Sequence, residues 1–165
     1  MRIFELSEKK GLGYVTRLHY LTEEINMFDK EKIYAMYIPE MFEDTVDYMV
    51  QKFPLISEEM KSILLTYDPQ LYTKRLNIIY SKNLEMKKKY WYAQPQFINA
   101  LDESTKLNYL RMVDKPILKK EEVKYYPIFS VLGLNERRWF VNLEVAESLL
   151  RYDISGFQLE LVEVV

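Results

Sequence analysis

The chain has 165 residues and no cysteine, with 48% apolar residues, 29% charged residues and a formal net charge of −2. This composition is typical of a folded globular protein and is too apolar for a disordered one. The absence of thiols excludes disulfide bonds, cysteine-ligated zinc and thiol catalysis, and the length suits a single domain spanning residues 1–165.

The start of the chain, MRIFELSEKKG, lacks the apolar core of a signal peptide. No apolar run in the sequence approaches the length of a membrane span. We therefore expect a cytoplasmic protein without a membrane partner.

Charge is unevenly distributed along the sequence. Residues 1–72 carry 8 basic and 13 acidic side chains, whereas residues 73–125 carry 12 basic and 6 acidic ones. Residues 126–165 are acidic again, with 3 basic and 6 acidic side chains. Such asymmetry is typical of proteins that bind charged partners.

Most of the chain has patterns that favour strands. Aromatic and β-branched residues are concentrated in five stretches, and each of them predicts a strand. In chain order these stretches are Met1–Leu6, Tyr14–Leu21, Lys32–Ile38, Thr73–Tyr80 and Lys89–Ala93.

Two helices are predicted between the third and fourth strands. Residues 39–53, PEMFEDTVDYMVQKF, place apolar residues at helical spacing. A second helix should begin after the N-cap Ser57 and end at Asp68-Pro69. Because a Pro-Leu-Ile corner separates them, the two helices should form a two-helix insert at residues 39–68.

The C-terminal region predicts a strand-helix-strand unit. Strands are expected at Pro127–Leu132 and Arg138–Val141, after which Asn142 should cap a helix. Gly156 should then release the chain into a last strand, Phe157–Val164. The helix face expected to be buried against the strands of Phe129, Phe140 and Phe157 consists of Leu143, Ala146, Leu149 and Leu150.

These elements predict an α+β fold with a mixed, largely antiparallel sheet. The alternation of the last strand slips between Leu161 and Val162, which indicates either a bulge or a strand that is apolar on both faces. A division of the single domain into residues 1–85, with the helical hairpin, and residues 86–165 is possible.

The sequence offers little catalytic equipment. His19 is the one histidine, and its apolar surroundings indicate a core or edge residue with a hydrogen bond. Gly11-Leu12-Gly13 lacks the third glycine and the strand–helix junction of a phosphate loop. We expect no catalytic residues, no metal and no cofactor, although a carboxylate-based enzyme stays open as an alternative.

A basic and aromatic run, Lys87–Lys89 followed by Tyr90–Tyr92, is the best candidate for nucleic-acid binding. Strand alternation puts Lys88, Tyr90 and Tyr92 on one face and Lys89, Trp91 and Ala93 on the other. This geometry favours aromatic residues in the core, and we expect no nucleic-acid partner.

An acidic stripe occupies the first predicted helix. Glu40, Glu43, Asp44 and Asp47 are spaced i, i+3, i+4 and i+7, and no Lys or Arg lies between Lys32 and Lys52. Like charges at this spacing repel, so charge reversal there should relieve strain in the helix. The stripe is either a solvated helix face or a docking face for a basic partner, with the basic segment 73–125 as the competing site for an acidic partner.

Residues 88–164 resemble immunity family eleven of bacterial polymorphic toxin systems, formerly a domain of unknown function. The resemblance lies in an aromatic strand, a Leu-Asp pair with a nearby Ser, two later strands, a helix ending in leucines and an Ile-Ser-Gly-Phe exit. In this chain those parts are Tyr90–Tyr92, Leu101-Asp102 with Ser104, Ile128-Phe129, Trp139–Asn142, Leu149-Leu150 and Ile154–Phe157.

The resemblance implies a non-enzymatic protein that neutralises a cognate toxin by direct binding, often one encoded by a neighbouring gene. The alternative function is a protein-interaction or adaptor domain with no toxin partner. The sequence leaves open whether Asp102 and Ser104 act in function or only in a local turn.

Overall fold

The computed structural model describes residues 1–9, 34–38, 46–50, 54–80, 82–110, 112–134 and 138–165. Within these residues the chain forms eleven strands and three helices. The strands are β1 (Ile3–Glu8), β2 (Tyr34–Ile38), β3 (Tyr48–Val50), β4 (Pro54–Ile56), β5 (Tyr72–Tyr80), β6 (Asn83–Gln94), β7 (Phe97–Ile98), β8 (Ile117–Leu118), β9 (Ile128–Val131), β10 (Trp139–Asn142) and β11 (Phe157–Val164), and the helices are α1 (Glu58–Tyr67), α2 (Lys120–Val123) and α3 (Leu143–Arg151).

The strands form two sheets, and the predicted α+β class is confirmed. The first sheet has the order β7-β9-β10-β1-β11-β8, and the second has the order β2-β5-β6-β4-β3. Most neighbouring strands are antiparallel, while β2–β5, β7–β9 and β8–β11 are parallel pairs. The sequence correctly predicted a mixed, largely antiparallel arrangement but placed the strands in one sheet.

The first sheet joins the two ends of the chain. Strand β1 lies between β10 and β11 and pairs with both of them. The possible division near residue 85 falls inside β6, and β1 belongs to the same sheet as the C-terminal strands.

One apolar core connects both sheets with α1 and α3, and a second core lies on the opposite face of the first sheet. Strand alternation separates the two, because Trp139 and Val141 face the first core while Phe140 faces the second. The first core includes Leu6, Tyr48, Ile56, Met60, Leu64, Ala93, Ile128, Val145, Ala146 and Leu149, and the second includes Ile3, Ile98, Leu118, Val123, Phe129 and Val162.

Helix α1 confirms the second predicted helix. The Ser57 hydroxyl accepts a hydrogen bond from the Met60 N–H at 3.1 Å, which satisfies a free donor of the first turn. Met60 and Leu64 are fully buried, and the helix ends at Tyr67 before Asp68-Pro69.

The first predicted helix is wrong where the structure describes it. Tyr48–Val50 form strand β3, which pairs with β4, and β4 pairs in turn with β6. Tyr48 and Met49 are both buried, with the Tyr48 ring packed edge-on against Trp139 at 5.7 Å between centroids. Sheet pairing and this tertiary contact override the helical spacing, so the two-helix insert reduces to α1 among the described residues.

Helix α3 begins after the predicted cap, since the Asn142 side chain accepts from the Val145 N–H at 3.0 Å. Leu149 is fully buried as predicted, but Leu150 is 61% exposed and the buried face includes Val145 and Ser148 instead. The Ser148 hydroxyl shares a 2.5 Å hydrogen bond with the Tyr67 hydroxyl of α1, which explains a polar residue on this face. The helix packs against α1 and against the predicted strands, whose Ile128, Trp139, Val141 and Phe157 side chains share its core, while Phe129 and Phe140 point to the other face of the sheet.

Strand β11 has the predicted bounds, and Gly156 before it has the expected positive φ, +89°. Pairing with β1 is continuous across Leu161 and Val162, so the strand has no bulge there. The other prediction, a strand that is apolar on both faces, is confirmed. Leu159 packs against the first core, whereas Val162 packs into the second. None of the three described helices has both the length and the apolarity that a membrane crossing requires.

Candidate protein-binding groove

The first sheet brings acidic residues from both ends of the chain side by side. Strands β1 and β11 together contain four glutamates and no Lys or Arg: Glu5, Glu8, Glu160 and Glu163. Their register places Glu5 directly opposite Glu160. Like charges in this position destabilise a sheet, so the arrangement costs the fold stability.

A groove of about 300 Å³ opens beside β11, between that strand and residues 114–116. Its surface is mixed, because Val162 and Pro116 are buried while the Leu161 side chain is 63% exposed. We call it the acidic groove, and it is lined by Glu5, Asp114, Lys115, Pro116, Glu160, Leu161, Val162 and Glu163.

Arg138 holds one wall of the acidic groove in place. Its guanidinium forms an ion pair with Glu5 at 3.3 Å, and both side chains are mostly buried. The same guanidinium donates hydrogen bonds to the carbonyl groups of Val113 and Asp114. Arg138 thereby orders the Glu5 carboxylate and offsets part of its charge, and it ties the chain at 113–114 to the sheet.

The remaining carboxylates of the acidic groove are less constrained. Asp114, Glu160 and Glu163 are exposed, and none of them forms an ion pair with another described residue. Among the described residues, Lys115 is the one basic residue that lines the groove, so the rim they form is negative overall. Exposed, uncompensated charge of one sign attracts a partner of the opposite sign.

A second hollow, of about 330 Å³, continues along β1 past Glu5. Tyr48 and Glu8 line it, and Glu8 accepts a hydrogen bond from the Val50 N–H at 3.1 Å. Burial raises the pKa of the Tyr48 hydroxyl, and the nearby charges of Glu8 and Glu5 raise that pKa further. The phenol therefore stays neutral beside a surface of negative potential.

The acidic stripe predicted from the sequence lies mostly outside the described residues, which do not include Glu40, Glu43 and Asp44. Asp47 is described, and it precedes strand β3 rather than occupying a helix. Its carboxylate accepts hydrogen bonds from the Ser155 N–H and the Ser155 hydroxyl, both at 2.8 Å. Asp47 therefore links β3 to the turn before β11, and its carboxylate is engaged within the fold.

The basic and aromatic run lies on β6, with its aromatic rings directed mostly inward. Tyr90 and Tyr92 are buried, as predicted, and the Tyr90 hydroxyl donates to the Val46 carbonyl at 2.9 Å. Trp91 is half-buried, with the Lys61 ammonium 3.4 Å from its ring centroid and its Nε1–H donating to Glu58 at 2.7 Å. These rings are committed to the fold rather than presented for base stacking.

The remaining sequence candidates carry no chemistry in the described residues. His19 and the Gly11-Leu12-Gly13 stretch lie outside them, and the parts of the chain that are described contain no group of three metal-ligating side chains. Asp102 accepts hydrogen bonds from the N–H and the hydroxyl of Ser104, which lower the pKa of the Asp102 carboxyl. This geometry is the locally capped turn that the sequence predicts.

Sequence reasoning missed the acidic groove. Glu5 and Glu160 are 155 positions apart, and only the β1–β11 register makes them neighbours. The available signal was the acidic balance of both terminal segments, which gains meaning once the ends of the chain share a sheet.

Searches against models of protein families and against curated proteins found no match to this chain.

Proposed function

We propose that this protein is a cytoplasmic bacterial immunity protein that binds a cognate toxin directly and neutralises it. The toxin is encoded by a neighbouring gene and presents a basic surface. Neutralisation of this kind requires a complementary surface and no catalytic residues, cofactor or metal. The resemblance of residues 88–164 to immunity family eleven supports the proposal from the sequence.

The acidic groove is the observation that carries the proposal. Intracellular toxins that act on nucleic acids tend to be basic, because phosphate contacts dominate their affinity. A surface with three exposed carboxylates at Asp114, Glu160 and Glu163 complements such a protein and accelerates its association. The exposed Leu161 side chain adds apolar area to that surface.

The test is co-expression with the product of the adjacent gene, read out as cell growth and as co-purification. The wild-type chain should restore growth and co-purify with the toxin. The double variant Glu160→Lys with Glu163→Lys should weaken toxin binding at least about tenfold at low ionic strength.

A matched control changes the same net charge elsewhere. Glu85 and Glu147 are exposed and lie outside the acidic groove, so Glu85→Lys with Glu147→Lys should leave toxin binding unchanged. Equal loss in both double variants would assign the effect to net charge. A neighbouring gene whose product is not toxic, or does not bind, would overturn the proposal.

A further inference from the structure

Strand β11 has an edge that its neighbour covers only at one end. Along the other edge, β11 pairs with β1 over six residues. On the open edge, β8 pairs with Glu163 and Val164 alone. The part of β11 before Glu163 therefore has no strand beside it among the described residues.

The backbone groups that point to this edge can be identified. The Val165 N–H donates to the Leu118 carbonyl at 2.9 Å, and the Val165 carbonyl accepts from the Lys120 N–H at 2.7 Å. Since backbone groups alternate along a strand, those of Leu159 and Leu161 point to the same side. No hydrogen bond joins either residue's outward N–H or carbonyl to another described residue.

Pro116 explains why the pairing stops. Extending the β8–β11 ladder by two residues would require an N–H at position 116 to reach the Leu161 carbonyl. Proline has no N–H, so the ladder ends there and the chain at 114–116 departs from β11. The space left between them is the acidic groove.

The side chains along this edge define what fits beside it. Glu160 lies on the face shared with Glu5, whereas Leu161 lies on the opposite face, across from Phe4. A strand added at this edge would place alternate residues beside Glu160 and beside Leu159 and Leu161. Basic residues match the first position, and apolar residues match the second.

We propose that the open edge of β11 binds an extended segment of the partner as an added strand, in which basic and apolar residues alternate. The identity of the partner rests on the proposed function, but the edge is defined without it. A second copy of this chain is a poor occupant, because β11 has two glutamates and no Lys or Arg, so a copy of it would add negative charge to an edge that is already negative.

The experiment uses the full chain, labelled with ¹⁵N, and the capped peptide acetyl-Val-Lys-Val-Lys-Val-Lys-amide as the probe. The peptide should shift the amide resonances of Leu159 and Leu161 and slow their exchange with deuterium. The amides of Gln158 and Glu160 point to β1 and serve as internal controls, since their exchange should not change.

Two N-methylated peptides test the backbone contact while keeping the charge. Methylation at the valines should weaken binding about tenfold if the added strand is antiparallel, and methylation at the lysines should do so if it is parallel. If neither methylated peptide binds more weakly, or if the parent peptide leaves both leucine amides unprotected, the proposal is overturned.

A protein variant gives the reciprocal test. Leu161→Pro removes an N–H that β1 does not use, and should weaken peptide binding about tenfold, whereas Leu161→Ala keeps the N–H and should weaken it less. If Leu161→Pro does not fold, the methylated peptides decide the question. If the toxin binds Leu161→Pro as tightly as wild type, the added-strand proposal is overturned and the immunity function is kept. If the peptide binds the edge but no toxin binds the protein, the immunity function is overturned and the added-strand proposal is kept.

Discussion

Strands β1 and β11 and the hairpin β5–β6 carry opposite charge and manage it differently. The hairpin, residues 72–94, has six basic residues and one acidic residue, all close in sequence. Glu58 of α1 forms ion pairs with Lys61 and with Lys89 of the hairpin, and Lys61 covers Trp91. In the acidic groove, by contrast, Arg138 pairs with Glu5 while Glu160 has no ion pair with any described residue.

The difference separates charge that is compensated within the fold from charge that no described residue compensates. Around the hairpin, cations, a carboxylate and an indole form one network with α1. In the groove, repulsion between Glu5 and Glu160 persists although a single substitution would remove it. A surface that keeps an avoidable cost to stability is the better candidate for binding.

The largest effect is expected at the joint between the two sheets, where Gly156 lies against β3. A Cβ at this position would stand 2.3 Å from the Tyr48 carbonyl oxygen, and the φ of +89° is unfavourable for other residues. Gly156→Ala should lower the free energy of unfolding by about 3 kcal/mol or more, measured by urea denaturation.

Gly133→Ala is the matched control for that variant. Gly133 has a similar φ of +92°, but no atom lies within 4 Å of an added Cβ. Its loss should be about 1 kcal/mol, because only the backbone conformation is strained. Equal losses at both positions would show that the contact with Tyr48 is not the cause.

The next effect is expected at Asp47, which fastens β3 to the turn before β11. Asp47→Asn removes the charge from two hydrogen bonds to Ser155 and should lower the free energy of unfolding by about 2 kcal/mol. In the background of Ser155→Ala the same substitution should cost clearly less. If Asp47 instead belonged to an acidic stripe on a helix, Asp47→Asn would relieve repulsion and raise the free energy of unfolding.

A charge exchange compares the acidic groove and the hairpin directly. Glu160→Lys with Glu163→Lys should slow association with a basic toxin about tenfold at low ionic strength, and added salt should shrink the difference. Lys87→Glu with Lys89→Glu should not slow it, since these residues lie on the hairpin. Stopped-flow association rates across a salt series distinguish the two surfaces, and the reverse ranking would favour an acidic partner.

The same groove should show its cost in the protein alone. Glu160→Gln removes the repulsion with Glu5 and should raise the free energy of unfolding by about 0.5 kcal/mol. Glu163→Gln, which does not lie opposite a glutamate of β1, should change stability less. A loss of stability in Glu160→Gln would mean that this carboxylate has a favourable partner.

Local signals in the sequence were sufficient for the elements that local chemistry determines. Ser57 and Asn142 capped their helices as predicted, and Gly156 marked the start of β11. Tyr48–Val50 were misread because a short apolar run has helical and strand periodicity at once, and its outcome depends on β4 and Trp139.

The candidate site depended on contacts between distant parts of the chain. Leu150 was expected inside because helical spacing does not fix the exact rotation of α3, which packs Val145 and Leu149 into the core and brings Ser148 to Tyr67. The acidic groove required the pairing of the first strand with the last one. Composition indicated that both ends were acidic, but no local pattern could place Glu5 beside Glu160.

An effect of similar size is expected on the hairpin side of the comparison, at Glu58. A hydrogen bond from the Lys61 ammonium is the largest of the influences that hold the pKa of the Glu58 carboxyl below its usual 4.5, with contributions from Trp91 and Lys89. Because folding lowers this pKa, the ionised carboxylate stabilises the fold above pH 4.5, and the contribution is lost as the pH falls through the lowered pKa.

The Glu58 side chain is 42% exposed, so after screening by solvent Glu58→Gln should cost about 0.5 kcal/mol at pH 7 and less in acid. Glu59→Gln, on the same first helical turn, is the reference for losing a carboxylate near the helix dipole, and urea denaturation from pH 7 to pH 3 should show that the gap between wild type and Glu58→Gln narrows in acid. A gap that is independent of pH would assign the role of Glu58 to its neutral hydrogen bond with the Trp91 indole.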